Sequence, residues 1–524
     1  MKMVKSLLLG SAAGLVAIAG AQAADLPVKA KPVEYVKVCS IYGQGFYYIP
    51  GTETCLKVGG YVRMDIGFNA AGSHGPYVSG AGGRDNREDT SWYETRVRGI
   101  FSFDARSQTE WGTLRAYMRG GWEQNSGDAN YRGIQYLDRA FIQFGGLTAG
   151  KTQSFFGFYS NANNYSTLQG GGQSDAGLNL LAYTFQFPGG FSATISLEEA
   201  NHHRSGIWDA NNAAGNAFGA PDVIPGLGGS GNPLTLGAIP GNVSGGLPGY
   251  GNYTANRWPD VVGNLRVDQP WGSAQLSGAL HEASGSYHGA NLLGGEAPDG
   301  FGFAVQAGLK FNLPWAQGDE FWVQGTWARG ATNYLGYNTF VHTGTQFAMF
   351  SGATPIGACI TLAAQGQGSC GTLGAAWAFD AVFDVNNGLA LTEGWSFLAN
   401  IQHYWTPALR TSIFGHITSV EYGATGRAIF CGGPANAPAA GQISTATLAT
   451  CNPDFRTAQI GVRTIWSPAR QFDIGVEVLY TRLDQNHVGF WNVGSVGARP
   501  AGGYTAQDQD TWSGTVRFQR NFFP

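Results

Sequence analysis

Arginines at alternate positions are the first chemistry-bearing pattern in the chain. Arg96 and Arg98 lie two apart, Arg115 and Arg119 four apart, and Arg139 follows. On an extended strand, residues i, i+2 and i+4 share a face, so these spacings gather guanidiniums onto one surface. A guanidinium stays charged, so such a surface exerts a field that orders dipolar solutes and disfavours apolar ones. If the registers align, one basic wall results, extended by Arg63 and Lys57 and opposed by Asp175. The competing reading is structural: the arginines pair with Glu94, Asp104 or Asp138 and hold the wall together.

Other reactive residues point less far. His202 and His203 adjoin Glu198 and Glu199, a donor set suited to a divalent metal, but the position reads as the solvated base of a loop. There is no HExxH, GxSxG or P-loop pattern, and the expectation is a protein that is not an enzyme and needs no cofactor. The six cysteines allow fifteen pairings. The sequence-local one, Cys39–Cys55, Cys359–Cys370 and Cys431–Cys451, fits three stapled loops in an oxidising compartment. A cysteine metal site is the alternative, with poor spacing and no CxxC unit.

Composition narrows the class. The chain has 524 residues, 80 of them Gly, and only 13% are charged, about half the share usual in soluble domains. So much Gly disfavours a helical protein, and a net charge of -4 gives nucleic acid no handle. Lys2 and Lys5, the apolar run Leu7 to Ala19, and Ala21-Gln22-Ala23 read as an export segment over 1–23. Residues 24–55 then form a small N-terminal segment, taken as periplasmic, and 56–524 a single domain.

The elements that would position the arginines show a period of two. Leu56, Val58, Val62, Met64, Ile66 and Phe68 alternate with Lys57, Tyr61, Arg63 and Asp65. Sixteen such strands are expected, at 56–68, 93–104, 113–119, 137–146, 150–154, 178–187, 191–199, 258–267, 272–283, 300–313, 319–330, 391–404, 408–419, 457–466, 471–483 and 510–523. Seven short connections alternate with eight long ones, the pattern of an antiparallel meander with all its tight turns at one end. Aromatics such as Tyr93, Phe141, Phe144, Tyr183, Trp271, Trp322, Trp466 and Trp512 fall near strand ends on apolar faces, as at a lipid–water boundary. The fold class is therefore all-β: a transmembrane antiparallel barrel with apolar faces to lipid, charged faces to a lumen, short periplasmic turns and long extracellular loops. The Gly/Asn-rich stretch 155–177 reads as a loop folded inward to narrow that lumen, with Phe155, Phe156, Phe158 and Tyr159 packing it on the wall. A secreted carbohydrate-binding sandwich is the main soluble rival, and detergent dependence separates the two. A sugar channel with an aromatic track is a closer one.

Two stretches carry a resemblance. AQAADLPVKAKP followed by VEYVKVCSIYGQGFYYIPGTETCLKVGGYVR resembles the general porins of alphaproteobacteria, and DRAFIQFGGLTAGKTQSFF resembles the strands leading into their constriction loop. The resemblance spans essentially the whole chain. It implies a homotrimer of sixteen-stranded barrels in the outer membrane of a Gram-negative bacterium, in contact with lipid and lipopolysaccharide, passing ions and small hydrophilic solutes. It also implies that Arg96, Arg98, Arg115 and Arg119 match wall arginines and that 155–177 matches the inward loop. Two departures stand out: Pro524 follows the terminal aromatic Phe523, and the 200–257 and 331–390 connections are long.

Overall fold

The structure is a computed structural model that describes residues 37–69, 93–126, 134–165, 177–209, 253, 256–285, 297–337, 345–352, 370–432, 443–493 and 502–522. The expected export segment 1–23, Asp175 and Cys359 fall outside the described residues.

Sixteen strands close into a barrel. They are β1 (Cys55–Phe68), β2 (Tyr93–Thr109), β3 (Gly112–Asn125), β4 (Ile134–Phe144), β5 (Leu147–Thr152), β6 (Leu178–Phe187), β7 (Phe191–Glu198) and β8 (Asp260–Gln269), then β9 (Gly272–Glu282), β10 (Phe301–Asn312), β11 (Glu320–Arg329), β12 (Glu393–Thr406), β13 (Leu409–Glu421), β14 (Phe455–Ala469), β15 (Phe472–Gln485) and β16 (Gln509–Phe522). Each pairs antiparallel with its sequence neighbours. The seam is closed by β16 against β1, with Gly60 opposite Phe522 and Phe68 opposite Gly514. Closure leaves the barrel no free sheet edge, so the strand N–H and C=O groups pair across the ladders, as a hydrocarbon environment demands.

Alternation sorts the side chains. Val62 is 56% exposed on the outside while Asp65, three residues on, is 0% exposed inside. Exposed Val97, Met118, Ile142, Leu265, Val305, Ile413 and Val476 continue the apolar outer surface around the barrel. The early strands run further than the apolar run alone suggests. β2 reaches Thr109 and β3 extends from Gly112 to Asn125, leaving a turn of Glu110 and Trp111. Gly112 takes φ +109° there, a conformation that strains any residue with a Cβ. A bulge opposite Gly120 inserts Asp138 as an extra residue in β4, which brings Arg139 level with Arg119.

Two aromatics placed on the lipid boundary by sequence face the lumen instead. Phe141 stacks on Tyr117 at 5.2 Å, and Trp322 packs against Phe158 and Tyr159 at 5.1 and 5.5 Å. In both cases the alternation within the strand, not the aromatic character, sets the direction.

The N-terminal residues form a small lobe at the end of the tight turns. Cys39 is disulfide-bonded to Cys55, the first residue of β1, around buried Phe46. At the opposite end the long connections carry structure of their own. Strands Thr345–Ser351, Thr372–Ala378, Ile443–Thr450, Val488–Val493 and Gly502–Ala506 make a five-stranded sheet. Ile207–Asp209, Ala381–Asp384 and Gly388–Leu391 make a three-stranded one. A helix, α1 (Gly423–Gly432), is tied to the strand after it by the Cys431–Cys451 disulfide. Trp377 and Trp491, 5.7 Å apart, centre the core of this cap. That core continues onto lumen-facing Val262, Ala279, Ala328, Val420 and Leu483. The cap is therefore folded into the barrel mouth, held by aromatic burial of about 2–3 kcal/mol per large side chain.

Candidate functional site

The site grows from two surfaces that face each other across the lumen. The first is the inner face of β16, β1, β2, β3 and β4. Its carboxylates are shared. Asp65 lies 3.2 Å from Arg63, 3.3 Å from Arg96 and 2.6 Å from Arg517. Asp104 accepts from Arg106 and Arg115 at 2.8–3.0 Å. Glu123 accepts from Arg98 Nε at 2.8 Å and lies 3.8 Å from Arg96. Asp138 accepts from Arg119 and from Arg139, the latter at 3.1 Å. Planar guanidiniums also lie over aromatic rings: Arg98 over Tyr136 at 4.9 Å, and Arg115 over Tyr117 at 5.0 Å. Stacking and paired hydrogen bonds together fix Arg98 and Arg115 in direction.

Arg63, Arg96, Arg98, Arg115, Arg119 and Arg139 thus all reach the lumen side of one wall. Glu123, Asp65 and Arg517 join them, although sequence inspection did not single these out as site residues. The β16–β1 seam brings Arg517 to Asp65 from the far end of the chain, and nothing local in the sequence signals it.

The second surface is the segment after β5. From Phe155 to Tyr165 it runs around the inner wall, and successive strands supply its hydrogen bonds. Phe155 N donates to Glu198 at 2.9 Å, and Asn264 Nδ2 donates to Phe155 O at 2.6 Å. Gln275 Nε2 donates to Phe156 O at 3.3 Å. Phe158 N and Tyr159 N donate to Gln306 and Gln324 at 3.1 and 2.9 Å. Asn163 Nδ2 reaches Glu320 and Asn400, and Arg463 donates to Asn164 O at 3.0 Å. Tyr165 N donates to Glu477 at 2.8 Å. A buried, irregular backbone cannot pair with itself, and here the lumen-facing amides and carboxylates of β7 to β15 satisfy it. Two glycines make the seat. A Cβ on Gly308 would overlap the Phe158 ring, and one on Gly475 would overlap the Tyr165 hydroxyl. Phe156, Phe158 and Tyr159 are buried against the wall and cap.

At Tyr165 the segment lies beside the first surface. Tyr165 lies under Arg517 at 3.8 Å and near Arg463 at 5.2 Å. The arrangement offers charge, aromatic faces and a narrowed passage. His203 lies 3.4 Å from Glu198 and stacks on Tyr334 at 4.2 Å. No group of three or more metal-ligating side chains occurs among the described residues.

Comparison with known proteins agrees with this architecture. A family model described as "Porin subfamily" matches residues 25–515. Porin Omp2b of Brucella suis and of Brucella abortus are each 34% identical over 324 residues, covering 59% of this chain and 80% of theirs. The outer membrane channel DcaP of Acinetobacter baumannii superposes with a TM-score of 0.52 at 12% identity, over 91% of this chain and 99% of that one, a likeness of fold. A sixteen-stranded barrel with a charged lumen and an apolar belt, matched over nearly its whole length by that model, places the chain in the porin subfamily of the Gram-negative outer membrane, as a diffusion channel.

Proposed function

We propose that ions and small hydrophilic solutes pass through a constriction formed between the 155–177 loop and the wall of β16 and β1 to β4. Arg63, Arg96, Arg98, Arg115, Arg119 and Arg139 set the charge of that constriction, with Asp175 as the acidic residue proposed to oppose them. Passage is passive: the site provides water, width and a field, and no covalent step. The functional unit is a homotrimer embedded in outer-membrane lipid and lipopolysaccharide, with the Cys39–Cys55 lobe on the periplasmic side.

The observation that carries this reading is the fastening of Phe155 to Tyr165 along the inside of the barrel, with Tyr165 against Arg517. A loop held by eight consecutive or nearly consecutive strands is a fixed part of the lumen and sets its width. The test is single-channel conductance of the purified mature protein in a planar lipid bilayer. Stable ohmic steps grouped in threes are expected. Folded, inserted protein that conducts nothing overturns the reading.

A further inference from the structure

We infer that the channel selects small anions, and that the arginines of the β16–β4 wall are its selectivity residues. This rests on the channel reading above and adds the sign of the preferred charge and the groups responsible.

Pairing on this wall does not neutralise it. Asp65 serves three arginines, and Asp104, Glu123 and Asp138 each serve two. Counting each arginine once, those four carboxylates meet eight guanidiniums: Arg517, Arg63, Arg96, Arg98, Arg106, Arg115, Arg119 and Arg139. Glu94 adds a carboxylate at one end of the wall and Lys57 a cation at the other, leaving the excess unchanged. The carboxylates sit between guanidiniums and hold like charges at fixed spacing, with the surplus turned toward water. Arg106, Arg115 and Arg119 are 26%, 25% and 32% exposed at the side chain, against 11% for Asp104 and 16% for Asp138.

The facing wall offers no matching excess of negative charge. Three of its ion pairs close one to one: Lys310 with Glu320 at 2.7 Å, Arg266 with Asp268 at 2.8 Å, and Arg410 with Asp473 at 3.0 Å. Glu198 and Glu477 are buried and accept the N–H groups of Phe155 and Tyr165. The loop itself is nearly uncharged, since Asp175 is the only ionisable acid or base with a formal charge between Phe155 and Gly177. A narrowing with guanidiniums on one side and neutral amides, hydroxyls and rings on the other attracts anions and repels cations.

Arg106 and Arg115 are cross-strand partners near the tight turns, Arg119 opposes Arg139 further along, and Arg63 opposes Arg98 beyond that. An anion leaving one tier meets the next about 13 Å on, at about 3.3 Å per residue. That separation is near the Debye length of about 10 Å at 0.1 M salt, so adjacent tiers overlap in dilute solution and separate in concentrated solution. The ligands are chloride and short carboxylates, recognised by charge and by the planar fork of the guanidinium.

The test is the zero-current potential of the full-length mature protein in a planar bilayer under a KCl gradient. A wall potential of only one kT favours a monovalent anion over a monovalent cation by about sevenfold. Chloride permeability several-fold above potassium, rising as both solutions are diluted, is expected. Arg115→Gln combined with Arg119→Gln moves the ratio toward unity while channels still open. A potassium preference, or a ratio near unity that ignores dilution, overturns the inference and leaves the channel reading standing. Absence of any conductance defeats the channel reading itself. If the double variant does not insert, the wild-type potential and its dilution series decide alone.

Discussion

Arg517 lies 3.8 Å over the ring of Tyr165 while its Nε donates to Asp65 at 2.6 Å. One side chain therefore joins the inward segment, the last strand and the first. Tyr165→Ala removes the ring and loosens the inward segment at that contact, and single-channel conductance rises. Tyr165→Phe keeps the stacked face, worth about 0.5–2 kcal/mol, and conductance stays near wild type. Equal conductance in both variants would show that the contact does not hold the passage width.

Asp65 is the hub of the seam. Asp65→Asn leaves Arg63, Arg96 and Arg517 crowded without their shared anion, at a cost of about 3–5 kcal/mol. The temperature at which the folded barrel converts to its slow-migrating denatured form in gel electrophoresis falls accordingly. Glu123→Gln, which strips one carboxylate from Arg98 and Arg96, lowers it less.

Gly308 and Gly475 are seats, and side chains there lift the segment. Gly308→Val drives a methyl-bearing carbon into Phe158 and costs about 1–3 kcal/mol. The segment moves off the wall into the passage, so conductance falls. Gly263→Ala is the control, because its Cβ meets only Thr194 O at 3.8 Å, and conductance should hold.

The cap hangs on Asp380. Its carboxylate accepts from Ser205 N at 2.7 Å, Thr332 N at 2.6 Å and Tyr253 Oη at 2.7 Å, all buried. Asp380→Ala strands those donors, each worth about 1–3 kcal/mol. Limited proteolysis then cuts the extracellular segments, while the barrel keeps its heat-modifiable mobility.

Acid loosens the same region through His487. Burial pushes its imidazole down to about 3, against about 6.5 in an unfolded chain. The neutral ring accepts from Asn452 N at 3.2 Å and packs on Trp491 at 4.5 Å. The folded form favours the unprotonated ring, so this contribution is complete above about pH 6.5 and drains away as the pH falls toward 3, by up to about 1.4 kcal/mol per unit. Protease sensitivity of the cap should rise over that window, and His487→Gln should flatten the rise.

The barrel was legible because alternation is a local signal. Val62 to Asp65 or Val97 to Arg98 announce two faces within a few residues, and the connections count the strands. The first wall was legible for the same reason, since its arginines are charged and regularly spaced. The seat of the loop was not, because Gln275, Gln306 and Gln324 are neutral amides on separate strands and their common role appears only when the sheet curls. The cap was hidden for another reason. From Leu373 to Ala378 every residue is buried on both faces, so the period of two vanishes, as it does in any fully enclosed strand. Phe141 and Trp322 show the reverse error, in which a residue's chemical type overrode its place in the alternation.

The bond between Asp65 and Arg517 spans 452 positions of chain. No partly exported polypeptide contains it, so the charged wall formed by the first four strands is completed only when the last barrel strand arrives. Loop-closure entropy grows slowly with length, which keeps the thermodynamic cost modest, but contacts this distant make formation slow. A truncated or stalled molecule accordingly lacks both a finished cylinder and the guanidinium that joins its first strand to its last, and the act that seals the barrel against lipid also completes its electrostatics.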